Sequence, residues 1–162
     1  MTSPSEAELE KMATKLEASG RYRIQRRLKP RANLPVPEGV TPKLALFVDV
    51  ETTGLDHAKD EIIELAMVPF TYGPDGQIYE VREAFQRFHQ PKSPITAEIT
   101  KLTGITDEMV AGHAIDPLGV AAFAEDAVLV IAHNASFDRR FLERLSAVFS
   151  LTPWACVLLD VA

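Results

Sequence analysis

The hydrophobic pattern changes period partway along the chain, and that change limits the folds open to it. Apolar, strand-like runs fall at Leu44 to Val50, Glu61 to Phe70 and Gln77 to Phe88, with the turn Gly73-Pro74-Asp75-Gly76 between the last two. Short connections between three such runs predict an antiparallel meander. Beyond Pro94 the texture becomes helical around Ala97 to Leu102, Asp107 to Val110 and Pro117 to Phe123. A buried-looking strand follows at Ala127 to Ala132. Phe137, Phe141, Leu145, Val148 and Phe149 recur at helical spacing, which predicts an amphipathic helix over 136–149, and Trp154 to Val161 reads as the start of a fifth strand.

The resulting order, β-β-β-α-β-α-β, calls for an α/β fold whose mixed sheet has a meander on one side and parallel crossovers on the other. An RNase H-like architecture with flanking helices fits that order. If the first and fourth strands are parallel neighbours, their carboxyl ends carry Asp49, Glu51 and the segment from His133 to Asp138 to one crevice. With 162 residues, 46% of them hydrophobic, the chain has room for one core. Ahead of it, Ser5 and Glu8 form a capping-box pattern, and Leu9, Met12, Ala13 and Leu16 repeat at helical spacing until Gly20. The expected organisation is an N-terminal amphipathic helix over 1–20, a basic, proline-containing linker over 21–42 (Pro30, Pro35, Pro37, Pro42), and a folded domain over 43–162.

The net charge of −6 conceals an asymmetry. Residues 20–43 carry seven basic side chains against Glu38 alone, a balance of +6, whereas from residue 44 onward eight basic face eighteen acidic, a balance of −10. Acidity does not exclude a phosphate-handling site, since bound cations invert the local sign. Cys156 is the single cysteine, which rules out an internal disulfide and any cysteine-rich zinc site. The longest apolar runs are far short of a membrane span, and the acidic start resembles neither a signal nor a transit peptide, so a cytoplasmic protein is expected.

Two clusters carry chemistry. In Asp49-Val50-Glu51-Thr52-Thr53-Gly54 the carboxylates stand two residues apart at a strand end, so both project from one face and could share a hard cation. In His133-Asn134-Ala135-Ser136-Phe137-Asp138 a strand gives way to a helix, whose N-terminal dipole is expected to keep Asp138 ionised. Asn134 reads equally as a strand terminator or as a residue that orients carboxylates or touches a nucleotide.

Together these segments resemble the first two motifs of the DEDD superfamily of 3′-5′ exonucleases, in the group that holds the proofreading epsilon subunit of bacterial DNA polymerase III, over roughly residues 44–155. Leu102-Thr103-Gly104-Ile105-Thr106 resembles the family segment beside the terminal nucleotide. The resemblance implies that Asp49 and Glu51 bind one catalytic Mg2+ (or Mn2+), that Asp49 bridges to a second, and that Asp138 completes the second ion's surroundings. It implies nucleotide contacts from Thr52, Thr53, Gly54, Leu55, Thr103 and Asn134. The implied ligand is single-stranded or 3′-ended nucleic acid, DNA rather than RNA, and a DNA polymerase is the candidate protein partner. The family's third motif, which supplies a fourth carboxylate and a histidine general base, has no counterpart: the last histidine is His133, and Asp160 follows Trp154 too closely. The expectation is therefore an exonuclease domain incomplete at its C-terminus and impaired in hydrolysis, since general-base help is worth about 10²- to 10⁴-fold. The alternative is a non-catalytic nucleic-acid or polymerase-binding module that retains the fold.

Overall fold

The computed structural model describes residues 4–27 and 31–160, so Lys29, Pro30 and Val161 lie outside the described residues. The chain divides into two compact units, Met1–Ala32 and Asn33–Ala162. In the first, helix α1 (Glu6–Ala18) opens on Ser5, whose hydroxyl accepts from the Glu8 N–H while the Glu8 carboxylate accepts from the Ser5 N–H. Both halves of the capping box are thus present.

The second unit is built on a mixed sheet of β1 (Lys43–Thr52), β2 (Ile62–Tyr72), β3 (Ile78–Val81), β4 (Phe85–Phe88), β5 (Leu129–Ala132) and β6 (Trp154–Cys156). The order is β3-β2-β1-β5-β6, with β4 also on β2. β1 is antiparallel to β2 and parallel to β5, and β5 is parallel to β6. The predicted mixed α/β sheet is therefore present, with the first strand beside the one after the helices.

Alternation along β1 sorts its side chains. Leu46, Val48 and Val50 are buried on the face covered by α4 (Pro117–Ala124), α5 (Ala135–Leu145) and α6 (Val148–Leu151). There they join Leu65, Met67, Val120, Phe141, Leu142 and Phe149 in the main core. Ala45, Phe47, Asp49 and Glu51 take the opposite face, on which Phe47 is 39% exposed. A smaller cluster of Ile63, Ile95, Ile105 and Val110 lies under α2 (Ala97–Thr103) and α3 (Asp107–Val110).

Three expectations need correction. The third strand is two: β3 pairs with Phe70–Tyr72 and β4 with Glu64–Met67, and three residues, Arg82 to Ala84, span the gap opposite Val68 and Pro69. Pro69 has no N–H to donate across the sheet, although its carbonyl accepts from the Arg82 N–H at 2.8 Å, so regular pairing lapses where the extra residue sits. The helix expected over 136–149 breaks at Ser146, whose backbone is extended (φ −151°, ψ 136°), leaving α5 and α6. The final strand stops at Cys156 and turns into α7 (Val157–Asp160). The Cys156 N–H donates to the Asp160 carboxylate at 2.7 Å, and the Leu158 N–H donates to the His133 carbonyl at 2.9 Å. His89 is half-buried, and its Nδ1 accepts from the Ile115 N–H at 3.2 Å.

Helix α2 ends on Gly104 in the left-handed region (φ 77°), with its N–H donating to the Thr100 carbonyl. A methyl group there would meet nothing within 4 Å, so the conformation alone carries the cost. Gly104→Ala is expected to lower stability by about 1 kcal/mol in urea denaturation.

Candidate active site

The end of β1 and the start of α5 meet through one hydrogen bond. The Val50 N–H donates to Asp138 Oδ1 at 3.2 Å, joining residues 88 apart in sequence. Asp138 lies in the first turn of α5 and is only 4% exposed, while Asp49 is exposed and Glu51 half-buried on the β1 face away from the core. The structure thus brings the three predicted carboxylates into one electrostatic neighbourhood.

That neighbourhood raises the proton affinity of each. Burial first, with Asp49 and Glu51 adding to it, raises the Asp138 carboxyl to about 6, the N–H groups of Asp138 and Val50 having offset part of the rise. The helix N-terminus is expected to favour the ionised form of Asp138; burial acts against it and raises the proton affinity, yet at about 6 the carboxyl is still ionised at neutral pH. Asp49, exposed as a residue, has its carboxyl raised by partial desolvation on the strand face and then by Glu64, with His133 acting in the opposite sense. Glu51 is raised by burial, then by Asp49 and Glu64.

Glu64 was not legible as a site residue. It stands directly across from Glu51 in the β1–β2 register, where like charges repel, and it accepts from Gln86 Nε2 on β4. The only signal that could have found it is the strand register. Four carboxylates, with His133 opposing them at Asp49, form a hard-oxygen donor set, which fits a divalent cation in chemistry. In geometry the set is open: among the described residues no three His, Cys, Asp or Glu side chains close around one ion position.

The turn after β1 is held by its own polar groups. The Thr52 hydroxyl, buried, donates to the Gly54 carbonyl at 2.6 Å. The Thr53 hydroxyl donates to Asp60 Oδ1 at 3.0 Å and accepts from the Glu61 N–H at 3.0 Å. A Cβ on Gly54 would meet the Asp60 carboxylate at 2.5–2.7 Å, so the close approach of that side chain depends on glycine. Beyond the turn Leu55 is 84% exposed and shares a cleft of about 210 Å³ with His57, Asn134, Ser136, Phe137 and Arg140. Asn134 makes no cap bond to α5; its Oδ1 accepts from the Ser136 hydroxyl at 2.8 Å. Thr103 is bonded within its own segment, donating to the Ile99 carbonyl and accepting from the Ile105 N–H.

This sheet order, with acidic groups at the end of its first strand and at the start of a helix beside it, defines an RNase H-like exonuclease fold. The exonuclease family model RNase_T matches residues 46–157, more than two thirds of the chain, and the chain belongs to that family as a DEDD-type 3′-5′ exonuclease domain. It is 47% identical over 97 residues to the PolC-type DNA polymerase III of Halalkalibacterium halodurans, covering 58% of this chain and 6% of that protein. It is 44% identical over 97 residues to the corresponding Bacillus subtilis polymerase, with the same coverage. The chain therefore spans only about a sixteenth of the length of these relatives. Among solved structures, the zinc-bound complex of Escherichia coli exonuclease I with single-stranded DNA superimposes with a TM-score of 0.56 at 16% identity, over 72% of this chain and 28% of that one. Product-bound exonuclease I gives 0.57 at 15%, over 73% and 30%. At these identities the likeness is one of fold. No helix among the described residues is long and apolar enough to cross a membrane.

Proposed function

We propose that this chain is a metal-dependent 3′-5′ exonuclease domain of the polymerase III epsilon type. The observation that carries the reading is the gathering of Asp49, Glu51 and Asp138 at the meeting of β1 and α5, where Asp49 raises the proton affinity of both Glu51 and Asp138, and Glu51 adds to that of Asp138. Asp49 and Glu51 would hold one Mg2+ or Mn2+, with Asp49 shared by a second and Asp138 completing its surroundings. Bound there, the ions would supply an activated water and a counter-charge for the leaving 3′ oxygen.

The chain's own residues set the stage for that step. Asp138 ties α5 to β1 through the Val50 N–H and would contribute negative charge beside Asp49 and Glu51. The turn from Thr52 to Gly54, fixed by its internal hydrogen bonds, would present backbone groups to the terminal nucleotide, because both threonine hydroxyls are already engaged. Leu55, exposed beside Asn134, would pack on the terminal base, and Thr103 would flank it. The ligand is a 3′-ended single strand, in keeping with the single-stranded DNA in the exonuclease I complex, and DNA is favoured by the similarity to polymerase III. A polymerase partner and a cytoplasmic setting belong to the same reading.

The test is an oligonucleotide labelled at either end. The expected result is magnesium-dependent release of the 3′ label that Asp49→Asn removes. Loss of the 5′ label first, or release indifferent to Asp49, contradicts the reading. A polypeptide that binds the strand yet releases nothing would leave the non-catalytic binding module in its place.

A further inference from the structure

Helix α1 carries an apolar stripe that remains open within its own unit: Leu9 and Met12 are each 50% exposed, Leu16 41% and Tyr22 58%. The chain turns at Ser19 and Gly20, and the following residues fold back along the helix. Arg26 fixes this return, donating through Nε and Nη2 to the Glu10 carboxylate at 2.9–3.1 Å, with Glu17 at 3.7 Å. One arginine of the basic stretch is thereby consumed in structure. Arg21, Arg23 and Arg27 form no ion pair among the described residues.

Between the helix and the returning chain lies a groove of about 600 Å³, lined by Met12, Leu16 and Tyr22 with Lys15, Ser19 and Arg21. Its charged groups are all basic and its floor is apolar with one aromatic ring. Apolar and aromatic surface to stack a base, beside cations to hold its phosphate, is what single-strand binding requires. A groove for an acidic peptide would need the same charge but has no use for a solvent-facing ring beside free guanidinium groups.

We propose that the N-terminal unit is a second nucleic-acid contact, separate from the carboxylate site, which holds a single strand by stacking a base on Tyr22 above Met12 and Leu16 while Lys15 and Arg21 hold its phosphates. Arg23 and Arg27 extend the basic track. The inference rests on the exonuclease reading only for the class of ligand.

The test uses the full chain and a fluorescein-labelled (dT)20 in EDTA, so that hydrolysis plays no part, with anisotropy followed from 50 to about 200 mM salt. Tyr22→Ala is expected to weaken binding about tenfold and Tyr22→Phe less than about twofold. Arg21→Gln with Arg23→Gln is expected to lower the slope of log affinity against log salt by about 1.4. Unchanged helical circular dichroism separates these effects from loss of α1. Affinity indifferent to Tyr22→Ala, a salt slope unmoved by the arginine pair, or tight binding confined to an acidic peptide overturns the proposal. Tyr22-dependent binding without Asp49-dependent hydrolysis supports this contact while sinking the exonuclease reading. Asp49-dependent hydrolysis with Tyr22-independent binding does the reverse.

Discussion

Asp49→Asn is expected to reduce magnesium-dependent release of a 3′-terminal nucleotide by at least about 10²-fold, to the background of the assay. The substitution keeps the size of the side chain and its place on the exposed face of β1, so the core beneath is untouched. What changes is charge and ligand strength. A neutral amide is a poor ligand for Mg2+, and Asp49 is the carboxylate that the proposed mechanism shares between two ions. It also acts on both Glu51 and Asp138, so its loss lowers the repulsion on each. The same variant should therefore be no less stable than the parent without metal, and should lose the stabilisation that added magnesium gives the parent. Magnesium titration followed by thermal melting checks the second half of this expectation.

The second large effect is on stability against pH. Asp138 has its folded-state carboxyl pushed up to about 6, above the ordinary 3.8, chiefly by burial and then by Asp49 and Glu51. A raised folded value favours the fold while the group is protonated. The advantage is complete below about pH 4 and is lost as pH rises through 6. Without metal, the protein is expected to lose about 2 kcal/mol between pH 4 and pH 7 from this group. Asp49 and Glu51 are raised as well and act in the same sense. Asp138→Asn keeps an acceptor for the Val50 N–H and removes the buried charge. It should leave stability at pH 4 nearly unchanged and raise it at pH 8 by about 1–2 kcal/mol in EDTA. Urea denaturation at the two pH values measures both. A flat profile for the parent would show that the fold does not hold the Asp138 carboxyl above its ordinary proton affinity.

Much of this was readable from local pattern. The alternation of Leu44 to Val50 named its inward and outward faces, and two carboxylates two residues apart had to share the outward one. The apolar run at Ala127 to Ala132, followed by helical spacing, announced a crossover strand, and β5 does lie parallel to β1. What escaped depends on partners far away in sequence. Glu64 enters the site only through its register with Glu51. The division of β3 from β4 arises where they pass Pro69 on another strand. The raised carboxyl of Asp138 reflects burial against β1, which a helix-terminus argument does not contain. The break at Ser146 and the turn into α7 after Cys156 likewise rest on individual hydrogen bonds rather than on hydrophobic period.

Asp49, Glu51 and Asp138 are proposed to form one site for divalent cations. Calorimetric titration of the chain with Mn2+, and competition by Mg2+, tests it without reliance on turnover. Saturable binding that Mg2+ displaces, weakened about tenfold or more by Asp49→Asn and again by Glu51→Gln, is the predicted result. Binding of equal strength in the parent and in both variants would contradict it.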